Sequence, residues 1–467
     1  MHAPPLASHI AKRNGTLVTR ACLPALAAIA ALSALFVEPA QAIPSFADQT
    51  GQPCQACHVG GLGPQLTPFG RKFKINGYTL RSKRFNVPLA AMAIASFTHT
   101  RKDQPAPPAP GFDTNDNFAF DQGSVFLAGG IGKHFGGFAQ VTYDGIAKHW
   151  TWDNLDLRAV TTGQLFGQDA VFGFSLNNNP AVQDAWNTTP AWGFPYTGSA
   201  LAPAPGAAPL VDGALAQNVL GLTAYTWIGQ KLYLEAGGYS TPAAGTLTWL
   251  GADPLAAGDI RGIAPYGRIT FQHDLGGGTL ALGAFALKAA IHPGRDRTTG
   301  LTDRYTDLGV DASWQKQMAS SDVFSVQARY IHEKSKLRAS CALGNINGNT
   351  DPACADVALS ELRGDIAYYW RNRVGTTLGL FRITGDSNLD VYAANRIKNP
   401  DSSGAMLQLD YTPWGDGHGP FGPLVNLRVG AQYTIYAKFN GARSNFDGAG
   451  TSAADNNTLR VFSWLAF

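Results

Sequence analysis

The sequence predicts an all-β protein: an antiparallel outer-membrane β-barrel of about 16 strands, its lumen plugged by a small N-terminal monohaem cytochrome c domain. Three observations lead there. Only 15% of the 467 residues are charged, with 11% aromatics and 53 glycines, where a soluble protein carries about 25% charge. Period-two alternation of apolar and polar residues recurs from about residue 87 to the C-terminus. Cys54-Gln55-Ala56-Cys57-His58 spells the C-x-x-C-H signature of covalent haem attachment.

In chain order, residues 1–42 read as a signal peptide. Lys12, Arg13 and Arg20 precede an apolar run from Ala21 to Val37, and Pro39-Ala40-Gln41-Ala42 supplies an Ala-x-Ala cleavage site. The alternative, a retained anchor, would need more than this run of about 17 residues, which is at the bottom of the spanning range. Cleavage removes Lys12, Arg13, Arg20 and Glu38, leaving 33 basic against 32 acidic residues. That balance offers nucleic acid no electrostatic footprint. Export also makes Cys341 and Cys354 candidates for a disulfide.

Residues 43–86 form the expected haem domain. Its thiols, Cys54 and Cys57, would become thioethers, and the His58 imidazole an axial iron ligand. A lone C-x-x-C has two other readings. A redox pair needs a βαβ surround, and a structural zinc site needs further ligands nearby; neither is present around Gly51-Gln52-Pro53 and Val59-Gly60-Gly61. Leu66, Phe69, Phe73 and Tyr78 offer a face to cover the cofactor, and Arg71, Lys72 and Lys74 offer cations for its propionates. A segment of about 45 residues is marginal on its own, so the haem is expected to be buried against the barrel. His58 is the only histidine of the segment and no methionine accompanies it. A conventional sixth ligand must then come from the wall, from Met92, Met406, His99, His134 or His149. Alternation on the first strand puts Ser96 and Thr98 in the lumen with Met92, which is nearest the haem segment and is the candidate distal ligand.

Residues 87–467 form the barrel. Strands are expected to start near residues 89, 117, 134, 151, 169, 219, 231, 262, 278, 304, 322, 357, 373, 403, 424 and 457, an even number as bacterial barrels require. In the clearest strand Val425, Leu427, Val429, Ala431, Tyr433 and Ile435 alternate with Asn426, Arg428, Gly430, Gln432 and Thr434. Short turns at 129–132, 229–230, 276–278 and 371–372 alternate with long links at 101–115, 178–218, 241–261, 336–355, 385–401 and 440–456. That asymmetry matches the periplasmic and extracellular ends of such barrels and sets the haem segment at the periplasmic mouth. The link 178–218, with Trp186, Trp192, Phe194 and Tyr196, reads either as an inward-folded constriction loop or as a disordered extracellular one. Glu235, Arg329, Arg363, Asp365 and Arg428 fall on luminal positions, the default for a porin. The chain ends on the aromatic Phe467.

Phe46-Ala47-x-Gln49-Thr50-Gly51-x-x-Cys54-x-x-Cys57-His58, followed by Leu66-x-Pro68-Phe69-Gly70-Arg71-x-Phe73-Lys74-x-x-Gly77-Tyr78-Thr79-Leu80, resembles the fused outer-membrane cytochrome–porins, whose best-known members oxidise Fe(II) at the cell surface. Gly60-Gly61-Leu62-Gly63-Pro64 departs from the Pro-Glu-Leu of that family, and Gln65 stands where the family has an acid. The resemblance implies one covalently bound c-type haem on Cys54, Cys57 and His58. It also implies an electron-transfer protein with Fe(II) oxidase activity, passing electrons from an extracellular reduced donor such as Fe(II) to a periplasmic carrier cytochrome. Two other functions remain open at this point: a diffusion porin with a haem-containing plug or sensor, and a conduit within a larger multihaem complex. No constellation for acid–base or nucleophilic catalysis stands out.

Overall fold

A computed structural model describes residues 44–82 and 88–467; the expected signal peptide (1–42) and the domain boundary at 86/87 lie outside the described residues. Among these residues seventeen antiparallel strands form one sheet: β1 (Leu89–Thr100), β2 (Asn117–Ile131), β3 (Phe135–Asp144), β4 (His149–Leu165), β5 (Gln168–Asn177), β6 (Leu220–Ile228), β7 (Leu232–Ser240), β8 (Asp259–Ile260), β9 (Ala264–Leu275), β10 (Gly278–His292), β11 (Asp303–Gln317), β12 (Val323–Lys336), β13 (Asp356–Trp370), β14 (Val374–Gly385), β15 (Ser402–Tyr411), β16 (Asn426–Lys438) and β17 (Thr458–Ala466). Each long strand pairs with its neighbours, and β1 pairs with both β2 and β17, which closes the sheet into a 16-stranded barrel. The seventeenth strand, β8, is a two-residue stub on β10 beside the end of β9. All sixteen long strands begin within two residues of the positions expected from alternation.

The two faces of the wall differ as the alternation requires. On β16, Val429, Tyr433 and Ile435 are exposed, while Arg428, Gln432 and Tyr436 are buried. Leu222, Leu308, Val310, Leu378 and Leu407 are likewise exposed on the outside. A belt of this size would be a liability in water and is the lipid-facing band of a transmembrane barrel. Phe135, Trp370 and Tyr411 stand exposed at the strand ends on the short-turn side, in girdle positions. No described helix is long and apolar enough to cross a membrane; the strands do the crossing.

At that end the chain reverses through tight turns whose residues take left-handed backbone, such as Phe166-Gly167 (φ 53° and 74°) and Gly276-Gly277 (φ 62° and 75°). Consecutive positive φ angles match the twist of a hairpin, and glycine adopts them without strain. Two connections break the expected pattern. The link 145–148 is short on the long-loop side, and the link 412–425 is long on the short-turn side. On the long-loop side Cys341 and Cys354 are joined by a disulfide.

The lumen is filled from both directions. From the short-turn end come three helices, α1 (Pro44–Thr50), α2 (Cys54–Cys57) and α3 (Pro68–Ile75). Helix α3 starts where Thr67 accepts a bond from the Gly70 amide and Pro68 supplies a preset first turn. From the other end the link between β5 and β6 folds inward, with Val182, Asp184, Trp186 and Thr189 at 1% exposure or less. The constriction-loop reading of this link therefore holds, and the disordered one does not.

The two parts meet the wall through specific bonds. The Tyr78 hydroxyl donates to Asp156 at 2.7 Å, itself paired to Arg158 at 2.8 Å. Tyr225 donates to the Ile75 carbonyl at 2.7 Å, and Lys74 to the Val182 carbonyl of the loop at 2.7 Å. Phe46, Phe73 and Tyr78 pack ring against ring, 5.1 to 5.6 Å between centroids, and Tyr78 meets Phe138 of the wall. Phe73, Tyr78 and Lys74 thus dock the plug in the barrel; Lys72 is exposed. The physical reason is that a segment this short uses its largest side chains to bury itself in the barrel.

Leu378 lies mid-strand on the lipid face. Leu378→Arg is expected to lower barrel stability by about 2–4 kcal/mol, read as a shift in the urea unfolding midpoint of the lipid-reconstituted protein.

Candidate functional site

The motif occupies one helical turn and the loop that follows it. Cys54 and Cys57 stand at its two ends, with Pro53 before them in extended backbone, and the His58 amide closes the turn by donating to the Cys54 carbonyl at 2.8 Å. His58 itself is extended, and Gly60 and Gly61 then take left-handed backbone (φ 71° and 74°). The chain doubles back so that Leu66 bridges His58, Val59 donates to the Gln65 carbonyl at 2.9 Å, and Thr67 donates to the Cys57 carbonyl at 2.9 Å. A β-carbon on Gly60 would run into the Arg428 guanidinium and the Tyr369 ring, so glycine is required here by space as well as by φ.

Three wall side chains hold this backbone. Asn372, in the β13–β14 turn, donates to the carbonyls of Gln55 and His58 at 3.3 Å each and accepts from the Gly60 amide. Asn426 donates to the Gly61 carbonyl at 2.6 Å. Arg428, 1% exposed, donates to the Gly60 carbonyl at 3.1 Å, faces Asp410 at 3.5 Å and lies over Tyr369. The long link 412–425 adds the Gly415 carbonyl, which accepts from the Gln55 amide at 2.9 Å. From the opposite side the inward loop contributes Asn187, which donates to the Pro64 carbonyl at 2.7 Å and accepts from the Leu66 amide at 2.9 Å. Sequence reasoning passed over Asn187, took Asn372 for a turn residue and Asn426 for one of a polar strand face, and took Arg428 for a generic luminal charge. The available signals were the length of 412–425 and the glycines at 60 and 61.

Burial governs the electrostatics of the motif. Desolvation lowers the His58 pKa to about 4, against the pull of the Gly63 backbone and assisted by the Arg428 charge, so the imidazole is neutral at pH 7. Its Nδ1 is buried without a hydrogen-bond partner. Desolvation also raises the Cys57 thiol to about 12, with Cys54 adding to the shift, and raises the Cys54 thiol. Two thiols at the ends of one turn, followed by a neutral imidazole with an unsatisfied ring nitrogen, fit the donor set of a c-type haem. Among the described residues no three His, Cys, Asp or Glu side chains gather into a site for a bare metal ion.

The expected distal candidates separate in space. Met92 faces the lumen in a buried cluster with Ile94, Phe126 and Trp464, against which Phe46 and Leu62 of the plug pack. His99 faces outward and is paired to Asp116 at 2.7 Å. His134 has its Nδ1 at 2.9 Å from the Val160 carbonyl, and His149 is exposed. Met406 lines a cavity between the inward loop and the wall. Of the five, Met92 is the one in a cluster against which residues of the motif-bearing plug, Phe46 and Leu62, pack.

Fold and site together define a plugged transmembrane β-barrel with a C-x-x-C-H motif seated at one mouth. No protein-family model matches the chain, and no curated protein does. Among solved structures it is similar to OprB of Pseudomonas putida, at 13% identity and a TM-score of 0.48 over 81% of this chain and 93% of that one. It is also similar to the anion-selective porin of Comamonas acidovorans, at 12% identity and a TM-score of 0.46 over 81% and 98%.

Two outcomes are expected. In haem-free, reduced protein the raised Cys57 pKa cuts its thiolate fraction at pH 8 about a thousandfold. Iodoacetamide labelling of Cys57 should therefore be slow in the folded barrel and fast in urea, as peptide mass spectrometry would read. Asn372→Ala leaves the buried Gly60 amide unsatisfied, a cost of about 1–3 kcal/mol. Hydrogen exchange across 55–61 should accelerate while the strands keep their protection.

Proposed function

We propose that this chain is a cytochrome–porin of the bacterial outer membrane that carries electrons across the barrel, from an extracellular reduced donor such as Fe(II) to a periplasmic carrier cytochrome. The supporting observation is the seat of the motif. Backbone from Gln55 to Gly61 is held by Asn372, Asn426 and Arg428 at the short-turn mouth, the end that faces the periplasm in such barrels.

Cys54 and Cys57 would hold the haem covalently and His58 would ligate its iron. When bound, the haem supplies a one-electron couple. The chain's own residues do the rest. The neutral His58 offers a ring nitrogen without first losing a proton. Asn372 and Arg428 fix the backbone on either side of His58, which limits how far its ring can move. Arg428 also sets a buried positive charge near the site, and a nearby cation favours the reduced state of a redox centre. Met92 is the proposed distal ligand, because its cluster includes Leu62 and Phe46 of the same segment; a thioether there raises the potential relative to a second histidine.

The alternative, a diffusion porin with a haem-containing plug or sensor, rests on the closed 16-stranded barrel itself. The loop and the plug bond directly to each other at Leu66–Asn187 and Lys74–Val182, which obstructs the route a solute would take.

The test is production in cells that mature c-type cytochromes, followed by haem-peroxidase staining of the denatured chain and stopped-flow mixing with Fe(II). Covalent haem that is lost in Cys57→Ala and reduced by Fe(II) within seconds is expected. A chain without covalent haem would overturn the reading, and haem left oxidised by Fe(II) would remove Fe(II) as donor. For Met92, Met92→Ala should abolish a methionine-to-iron charge-transfer band in the magnetic circular dichroism spectrum. An unchanged spectrum would exclude that ligand.

A further inference from the structure

The outward face of the wall carries a group of charges that neither the plug nor the inward loop uses. Lys288 on β10, Arg304 on β11 and Lys334 on β12 are exposed near the long-loop ends of three adjacent strands. Their neighbours along the chain, Leu287, Asp303 and Glu333, are buried. Successive side chains of a strand point to opposite faces, so the three cations stand on the lipid side. The corresponding ends of β2, β4 and β6 present Phe118, Trp150 and Leu222 there instead. The charge is a feature of this sector and not of the whole rim.

Register gathers the three around one residue. Thr306 pairs with Lys288 on one side and with Lys334 on the other, and Arg304 follows on the same face, nearer the loops. Lys288 and Lys334 are thus two strand spacings apart, roughly 10 Å, and long side chains can close that gap over Thr306. Arg304 also stands directly opposite Lys336, and like charges in that position destabilise a sheet. Lys336 is answered by Asp356 at 2.9 Å, whereas among the described residues Lys288, Arg304 and Lys334 have no carboxylate partner. An anion from outside the chain would relieve the repulsion.

Depth identifies the kind of anion. Thr306 and Trp314 lie on the same outward face of β11, separated by about 26 Å of strand, or roughly 20 Å of depth at the tilt of such barrels. Leu308 and Val310 fill the face between them, with Leu282 and Tyr330 exposed on the neighbouring strands. The cations therefore stand where an apolar band of about 25 Å gives way to headgroups, at the end whose long loops face outside. A soluble phosphate would meet the cations and leave the apolar rows unused, whereas a phosphate-bearing lipid uses both. We infer that Lys288, Arg304 and Lys334 around Thr306 form a docking site for the phosphorylated headgroup of an outer-leaflet glycolipid, its acyl chains lying along Leu308, Val310 and Tyr330. Arg304 offers a planar fork to the phosphate oxygens, and the two lysines add point charges. The inference rests on the barrel and does not depend on the haem.

The test is native mass spectrometry of the full-length protein in detergent, titrated with three lipids: bisphosphorylated lipid A, the same lipid stripped of its phosphates, and cardiolipin, an anionic phospholipid. A cation beside an anionic headgroup is worth about fivefold in affinity. Three together should make lipid A bind at least about tenfold more tightly than its dephosphorylated form. Lys288→Gln, Arg304→Gln and Lys334→Gln combined should remove that margin. A matched control, Lys133→Gln, Lys231→Gln and Arg371→Gln, takes exposed cations from the short-turn end and should keep it. No margin for lipid A, a margin that survives the first triple variant, or one that falls equally in both would overturn the inference. Cardiolipin binding as tightly as lipid A would overturn the choice of a glycolipid. The lipid series on the unmodified protein decides the matter even if a variant fails to fold.

Discussion

The structure depends on the hydrogen bonds that the barrel gives to the backbone around His58. Buried amides and carbonyls need partners, and the loop 59–63 is too short and too glycine-rich to supply its own. Asn372, Asn426 and Arg428 supply them from three sites on the wall, and Gly415 adds a fourth contact from the long link 412–425. The segment 44–82 is therefore seated by the barrel, and its geometry at the motif belongs to the pair. This also explains why the link 412–425 is long on a side where tight turns are otherwise used.

The same logic extends up the lumen. The charges that would line an open porin are consumed in pairs: Arg158 with Asp156, Arg268 with Asp311, and Arg460 with Asp121, each at 2.8 Å and each nearly or fully buried. Arg158 and Asp156 in turn anchor Tyr78, and Lys74 ties α3 to the inward loop. A buried pair is costly to break because it strands the partner charge, so the plug and loop are held in one arrangement.

The barrel was almost fully legible in the sequence, because a wall between lipid and lumen imposes strict alternation on every strand. Val429, Tyr433 and Ile435 against Arg428, Gln432 and Thr434 show why register and strand starts could be read so closely. The motif was legible because its chemistry demands fixed spacing. What could not be read was partnership. Asn372 looks like an ordinary left-handed turn residue, Asn187 like any loop asparagine, and Arg428 like one of many luminal charges; the roles of Asn372 and Arg428 come from closure of the barrel, which brings residues more than 300 positions apart into contact, and that of Asn187 from the inward fold of its loop. The docking role of Phe73 and Tyr78 was hidden for a related reason. Large aromatics beside a C-x-x-C-H motif suggest a cofactor lining, and the structure shows that they also bury the segment in the barrel.

The central claim is that electrons cross a barrel that solutes do not. It is tested most directly with the haem-loaded protein in liposomes that enclose an oxidised cytochrome c and a small fluorescent dye, with a membrane-impermeant reductant added outside. Reduction of the enclosed cytochrome while the dye is retained is the expected result. Dye leakage, or no reduction in vesicles shown to contain the haem-loaded protein, would contradict the account.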